Sequence, residues 1–178
     1  MKILFVRSNK IGSKIIQWGL DEPVSHVAVE FSDAHLIYHS YGSGITVVEP
    51  YEFYEKHSVI GSISLNVASD EEIHRLFKSS IPPRHGYDYL GLLYFTWRGF
   101  LKKFFNRPLP RLNAWQEQEN FLCTELDYIL CNTLAEKTGL MLLPENYDIA
   151  MLPPWQLFKL MQTKIAVNNW PFSVYSAV

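Results

Sequence analysis

Two histidines and one cysteine have the residue types and the order of a nucleophilic catalytic site. His26 and His39 lie in two runs that suit strands, "VSHVAVEF" and "HLIYHS". Cys123 lies in "NFLCTELDYIL", where a helical pattern begins. A cysteine nucleophile needs a base that accepts its proton and a third group that orients the base. Because an imidazole can serve in either role, the three residues could form a catalytic triad.

The positions of the two histidines predict that they meet across a hairpin. If Phe31 pairs with Ala34 across a two-residue loop, then His26 pairs directly with His39, and their β carbons lie roughly 5 Å apart. A loop of three residues would instead direct the two side chains to opposite faces of the sheet. The shorter loop allows one imidazole to orient the other.

Cys123 has two interpretations that its local sequence leaves open. In the first turn of a helix it would sit at the positive end of the helix dipole, which favours a thiolate, and backbone N–H groups there could donate to an oxyanion. Glu125 in the same turn works against the thiolate. Burial as a small packing residue is the commoner role of a single cysteine. Cys131 is predicted to pack in the core, about 12 Å away along the helix axis, which excludes a disulfide with Cys123.

A zinc site is the less favoured alternative. His35 and His39 would lie about 13 Å apart along a strand, too far to bind one metal ion. A helix would bring them together, but Leu36, Ile37 and Tyr38 favour a strand. The two cysteines match none of the paired-cysteine zinc patterns. We therefore expect neither a metal nor an organic cofactor.

The remaining histidines, His57, His74 and His85, lie in polar or turn-like stretches and are predicted to be surface residues. Tyr87 and Asp88 open an aromatic helix. Asp88 is predicted to cap that helix, and Tyr87 is a candidate for the substrate cleft.

The elements that must position these residues follow from the apolar pattern. Strands are predicted at residues 2–6, 24–31, 35–40 and 59–67 and in the run that begins at Ile45. Helices are predicted at residues 11–20 and 69–81, with an N-cap at Ser69 or Asp70, from Tyr87 and from Cys123 to about Lys137, and after Pro153 and Pro154, with a short helix or turn at 51–57. Gly139 is predicted to end the Cys123 helix. This order of elements predicts an α+β fold, an antiparallel sheet packed against helices, and the length predicts one domain spanning residues 1–178.

Composition limits the partners and the compartment. Hydrophobic residues make up 48% of the chain, charged residues 19%, and the formal net charge is -2, so nucleic acid is not an expected partner. The apolar run after Met1 is too short for a signal peptide. Arg98, Lys102 and Lys103 interrupt the best candidate for a membrane-spanning helix. We expect a cytoplasmic protein.

The segment that begins at Leu90 and ends at Arg107 has a second interpretation. Its basic residues could form a stripe beside Trp97 and other apolar side chains, and a basic amphipathic helix with Trp and Phe can lie in a bilayer interface. The ordinary explanation is a helix that packs its aromatic face on the sheet and leaves its basic side in water. A lipid or membrane surface is therefore a possible partner.

Taken together, "SHVAVE" on one strand, "IYHS" on the next and "FLCTEL" opening a late helix resemble the circularly permuted papain-like proteins of the NlpC superfamily. These include the bacterial YiiX-type proteins and, more distantly, the lecithin-retinol acyltransferase group. In those proteins the histidine strand precedes the cysteine helix, as it does here. The resemblance covers roughly residues 1–135 and implies a permuted papain-like fold.

By this resemblance Cys123 is the nucleophile, His26 the base and His39 the third residue. YiiX-type proteins often have glutamate at the third position, so His39 follows the acyltransferase-like arrangement there. The implied activity is a thiol hydrolase that cleaves an amide or isopeptide bond of a peptide or peptide conjugate through a thioester. A lipid acyl hydrolase or acyltransferase, and a non-catalytic binding domain of the same fold, are the alternatives.

Overall fold

The computed structural model describes residues 1–41, 44–66, 70–82, 86, 88–107, 123–143, 152–170 and 172–178. The strands are β1 (Lys2–Arg7), β2 (His26–Phe31), β3 (Leu36–Tyr41), β4 (Gly44–Val48), β5 (Ser58–Ser64) and β6 (Ser173–Ser176). The helices are α1 (Ile11–Leu20), α2 (Pro50–Lys56), α3 (Asp70–Ser80), α4 (Tyr89–Phe105), α5 (Cys123–Thr138) and α6 (Pro154–Asn168).

All strands belong to one antiparallel sheet in the order β4-β3-β2-β1-β5-β6. Strands that are consecutive in the chain pair as hairpins from β2 to β4, and β5 returns to lie beside β1. The predicted α+β fold with an antiparallel sheet is confirmed. The two predicted histidine strands, β2 and β3, lie side by side in this sheet.

The two faces of the sheet are covered unequally. On one face, Val27, Val29 and Phe31 of β2 join a large apolar core with side chains of α3, α5 and α6. On the other face, Ala28 of β2 joins a small cluster that is closed by Phe53 of α2. Because side chains alternate along a strand, neighbouring residues of β2 face different helices.

Helix ends follow the capping residues in the sequence. Asp88 precedes α4, and its Oδ1 accepts a hydrogen bond of 2.6 Å from the backbone N–H of Gly91. Gly139 follows α5 with φ of 73°, a left-handed conformation that glycine adopts without strain. Both predicted caps are confirmed. The apolar pattern of α5 predicts that Leu126, Ile129, Leu130 and Leu134 form its apolar face; the three leucines are buried and Ile129 is partly buried.

The predicted register of the β2–β3 hairpin is wrong. Phe31 pairs with Leu36 and Ala28 pairs with His39, so the loop has the four residues 32–35 rather than two. His35 ends this loop with φ of 51° and is exposed, so it is not part of the strand as predicted. Since the register differs by two residues, which is one full period of a strand, His26 and His39 still share a face.

The short strand β6 was not predicted. Its four residues pair antiparallel with β5 at the edge of the sheet, and most of its side chains are exposed. An edge strand that packs little against the core carries no clear alternation of apolar residues. The predicted strand at 24–31 is also shorter than expected, because β2 begins at His26.

Candidate active site

The two histidines singled out by the sequence are in contact. His26 Nε2 and His39 Nδ1 lie 3.2 Å apart, and the ring centroids are separated by 5.4 Å. The pair is diagonal across the two strands, because Ala28 rather than His26 lies opposite His39. Diagonal neighbours are within reach of long or aromatic side chains. One imidazole can therefore fix the tautomer and ring orientation of the other.

Burial keeps this imidazole pair uncharged near neutral pH. His39 is 6% exposed and packs edge-on against Phe53 of α2, with ring centroids 5.2 Å apart. Loss of hydration lowers the pKa of His39 to about 4 and lowers that of His26 well below its usual value. For His26, the neighbouring His39 and His57 act in the same direction. A neutral imidazole can accept a proton, which a general base must do.

His57 is a third member of the cluster that the sequence did not predict. Its Nδ1 lies 3.0 Å from the carbonyl oxygen of Phe53 and donates to it, and its ring stacks on Phe53. The ring centroids of His26 and His39 are 5.9 and 6.0 Å from that of His57. The predicted surface position is wrong, since His57 is half-buried. The four-residue spacing from Phe53 at the end of a helix was the available signal.

A pocket opens beside two of these imidazoles. It has a volume of about 370 Å³, and its lining combines an apolar floor with both signs of charge. The lining residues are Lys10, His39, Thr46, Val48, Glu52, Phe53, Lys56 and His57. The pocket therefore lies on the face of the sheet that α2 covers.

Cys123 is the first described residue of α5; the residues before it lie outside the described ranges, so the predicted start of the helix stays a prediction. Its side chain is 6% exposed and belongs to the large core together with Val27 and Val29 of β2. Strand alternation directs His26 towards the opposite face, where it contacts His39. The structure therefore brings the two histidines together, while α5 packs on the other side of β2.

Two contacts indicate how α5 is oriented along β2. The far end of α5 is fixed by an ion pair between Lys137 and Glu72 of α3. In the same helix α3, the ring of His74 packs 4.5 Å from Phe31, the last residue of β2. A helix of this length spans about 24 Å and β2 about 20 Å. Because α5 packs on β2, we infer that its Cys123 end lies on the side of the sheet where β2 begins.

Asp127 follows Cys123 by one helical turn and is fully buried. In the described part of the chain, neither carboxylate oxygen has a hydrogen-bond partner. Loss of hydration raises its pKa well above the usual range, so the carboxyl group is held in its neutral form. Burial, and then Asp127 itself, raise the pKa of Cys131, which lies one turn further. Cys131 is thus a buried, protonated thiol, in agreement with its predicted core position.

Replacing Asp127 by asparagine is expected to change how stability depends on pH. The unfolded carboxyl group ionises near pH 3.9, whereas the folded one stays protonated to higher pH. The wild type therefore loses stability relative to Asp127→Asn as pH rises above about 4, by up to about 1.4 kcal/mol per pH unit until the folded group ionises. Urea unfolding of both proteins from pH 4 to pH 7 measures this difference. A difference that does not vary with pH would contradict the neutral carboxyl group.

The other residues considered from the sequence do not join the cluster. His74 is partly exposed, and its Nε2 lies 2.8 Å from the hydroxyl of the buried Tyr38, with which it shares a hydrogen bond. Tyr87 and His85 lie outside the described residues. Within the described ranges, no group of three or more His, Cys, Asp or Glu side chains is arranged to hold a metal ion.

The sequence was compared with protein family models and with curated proteins. No protein family model matches the chain, and no curated protein matches it at a significant level. Among the described helices, none is both long enough and apolar enough to cross a membrane. The chemistry of the site therefore has to be inferred from the residues themselves.

Proposed function

We propose that the protein is a cysteine hydrolase that cleaves an amide or isopeptide bond through a thioester, with Cys123, His26 and His39 as its triad. The observation that carries the proposal is the contact between His26 and His39, and Cys123 lies on α5, which packs on the strand that carries His26. The motif order that resembles the permuted papain-like NlpC proteins supports the same assignment. A base held by a second imidazole beside a helix-terminal cysteine has the parts of a thiol hydrolase.

The proposed reaction uses each residue in one role. His26 Nε2–H donates to His39 Nδ1, which leaves His26 Nδ1 free to take the proton of the Cys123 thiol. The sulfur attacks the carbonyl carbon, and the positive end of α5 stabilises the oxyanion. His26 then returns a proton to the leaving amine, and water attacks the thioester. The enzyme ends each cycle with the thiol and the neutral imidazole restored.

The proposal sets one geometric requirement. Because β2 directs His26 away from α5, the sulfur must approach the imidazole around the end of β2 rather than through the sheet. The pairing of β2 with β3 begins only at Ala28, but on its other side His26 still pairs with Val6 of β1. His26 is only partly buried. The sulfur would therefore have to approach from the β3 side of the strand end.

A lipid ester or amide is the second candidate substrate. Leu90, Leu93 and Trp97 expose between 49% and 58% of their surface on α4, which is unusual for large apolar residues. An acyl chain could be drawn from a membrane that contacts these side chains. Peptide conjugates come first because amide cleavage is common among the proteins that the motifs resemble.

Cysteine reactivity tests the proposal directly. Cys123 should react with iodoacetamide near neutral pH at least about tenfold faster than Cys131, because a helix N-terminus and a nearby base favour its thiolate. Burial and Asp127 raise the pKa of Cys131 and so disfavour its thiolate. Mass spectrometry of peptides from a labelling time course gives both rates in one sample. The same protein is assayed with fluorogenic peptide amides and lipid esters.

Three results would overturn parts of the proposal. Equal labelling rates of the two cysteines in the folded protein would contradict the assignment of Cys123 as the nucleophile. Fast turnover of lipid esters with no turnover of peptide amides would replace the first substrate class by the second. A reactive Cys123 without turnover of either class would favour a binding domain.

A further inference from the structure

Helices α1 and α4 form a paired surface that is rich in exposed apolar side chains. Here it is called the aromatic surface, and its members each expose about half or more of their area. They are Ile11, Ile15 and Trp18 on α1, and Leu90, Leu93, Trp97, Phe104 and Phe105 on α4. Exposed apolar patches of this size on a folded protein mark an interaction site.

Ring contacts make the aromatic surface continuous across the two helices. Phe100 lies at its centre, with ring centroids 5.9 Å from Trp18, 5.6 Å from Trp97 and 4.6 Å from Phe104. The two helices approach each other closely at Gly19 and Gly99. A β carbon on Gly99 would lie only 2.7 Å from the carbonyl oxygen of Gly19, so the contact requires glycine there. The surface is therefore one rigid platform rather than scattered apolar residues.

The charged residues of the two helices themselves are all basic. Neither α1 nor α4 contains an acidic residue, whereas they carry Lys14, Arg98, Lys102 and Lys103. Arg107, two residues after α4, is exposed. Two described acids lie beside them: Asp21 is paired with Lys103 at 2.7 Å, and the buried Glu22 interacts electrostatically with Lys102. Basic side chains around exposed Trp and Phe complement an anionic lipid interface.

We propose that the aromatic surface docks the protein on bilayers that contain anionic lipids. Trp18, Trp97 and Phe104 would enter the headgroup region, where aromatic rings are favoured. Lys14 and Lys102 would contact lipid phosphates from the rim. This peripheral mode needs no membrane-spanning helix, and the proposal does not depend on the hydrolase activity.

Docking in this way would bring the imidazole cluster close to the membrane. The side chain of Ser13 in α1 hydrogen-bonds to Ser25, the residue before His26. Lys10, which precedes α1, lines the pocket beside His39 and His57. The N-terminal part of α1 therefore joins the aromatic surface to the end of the sheet that carries His26.

Vesicle binding tests the proposal with the full chain. The protein should co-sediment with phosphatidylcholine vesicles that contain about 30 mol % phosphatidylglycerol and bind pure phosphatidylcholine at least about tenfold more weakly. Sodium chloride at about 0.5 M should reduce the binding, because it screens the charges. Phe104→Ser with Phe105→Ser should weaken binding about tenfold or more, since two exposed rings no longer enter the interface.

Two further variants separate the contributions. Lys14→Glu with Lys102→Glu should remove the preference for anionic lipid, while Tyr51→Ser should leave binding unchanged, because Tyr51 is 66% exposed on α2 and lies outside the surface. The proposal is overturned if the wild type binds neither vesicle, or if the phenylalanine variant binds as well as the wild type. It is also overturned if the wild type is a dimer that these substitutions dissociate, because a second copy would then cover the surface.

Discussion

Cys123→Ala is expected to lower turnover by at least about 10³-fold, because the proposed mechanism has no other nucleophile. A water molecule activated by His26 would have to attack the substrate directly, without the thioester that divides the reaction into two easier steps. The measurement is kcat on the substrate that the peptide and lipid panel identifies. The fold should be retained, since the change removes one sulfur atom from a core position.

Cys131→Ala is the matched control for this result. Both cysteines are almost fully buried in the same helix and the same core, so each substitution loses a similar packing contact, about 1 kcal/mol. Cys131→Ala should keep turnover within about twofold of the wild type. If the two variants lose activity equally, Cys123 is a packing residue and the reaction, if any, belongs to other groups.

Much of the fold is encoded by local signals. Asp88 and Gly139 are side chains whose chemistry fixes a helix end by itself, so both ends could be predicted. The strands around His26 and His39 follow from β-branched and aromatic residues. The face shared by the two histidines was also predicted, although for a register that is wrong by two residues.

The parts that could not be predicted depend on contacts between distant segments. The spacing of His57 from Phe53 indicates only that the two rings are neighbours at the end of α2; His57 joins the cluster because α2 packs over β3, which this local spacing does not encode. The loop of the β2–β3 hairpin is longer than predicted because His35 adopts a left-handed conformation, which its sequence does not require. The buried Asp127 is equally invisible to sequence patterns, since an acidic residue on a helix normally faces water.

The placement of Cys123 and His26 on opposite faces of the sheet also depends on contacts between distant segments. The sequence gives the order of the histidine strands and the cysteine helix, but it does not say which face of the sheet the helix covers. That choice depends on the apolar residues of β2, Val27 and Val29, which pack against α5. The proposed reaction therefore requires the nucleophile and the base to meet around the end of β2.

His39 and His57 are the two side chains around His26 that could position it, and we expect turnover to depend more strongly on His39. His39→Ala should lower kcat about 10²-fold or more, because His26 then spends less time in the tautomer and rotamer that accept the thiol proton. His39→Gln should retain more activity than alanine, since an amide can still accept the hydrogen bond from His26 Nε2. KM should change little, because His39 acts through His26 rather than on the substrate.

His35→Ala is the control in this series and should stay within about twofold of the wild-type kcat, because His35 is exposed in the hairpin loop.

The pH profile adds a readout that a purely structural role would not move. Burial lowers the pKa of His26, so the acidic limb of kcat/KM should fall below pH 6.5, where an ordinary imidazole would already be protonated. Circular dichroism confirms that each variant is folded. If His35→Ala is as damaging as His39→Ala, the contact between His26 and His39 does not orient the base, and the third catalytic position belongs to another residue, with His57 the next to replace.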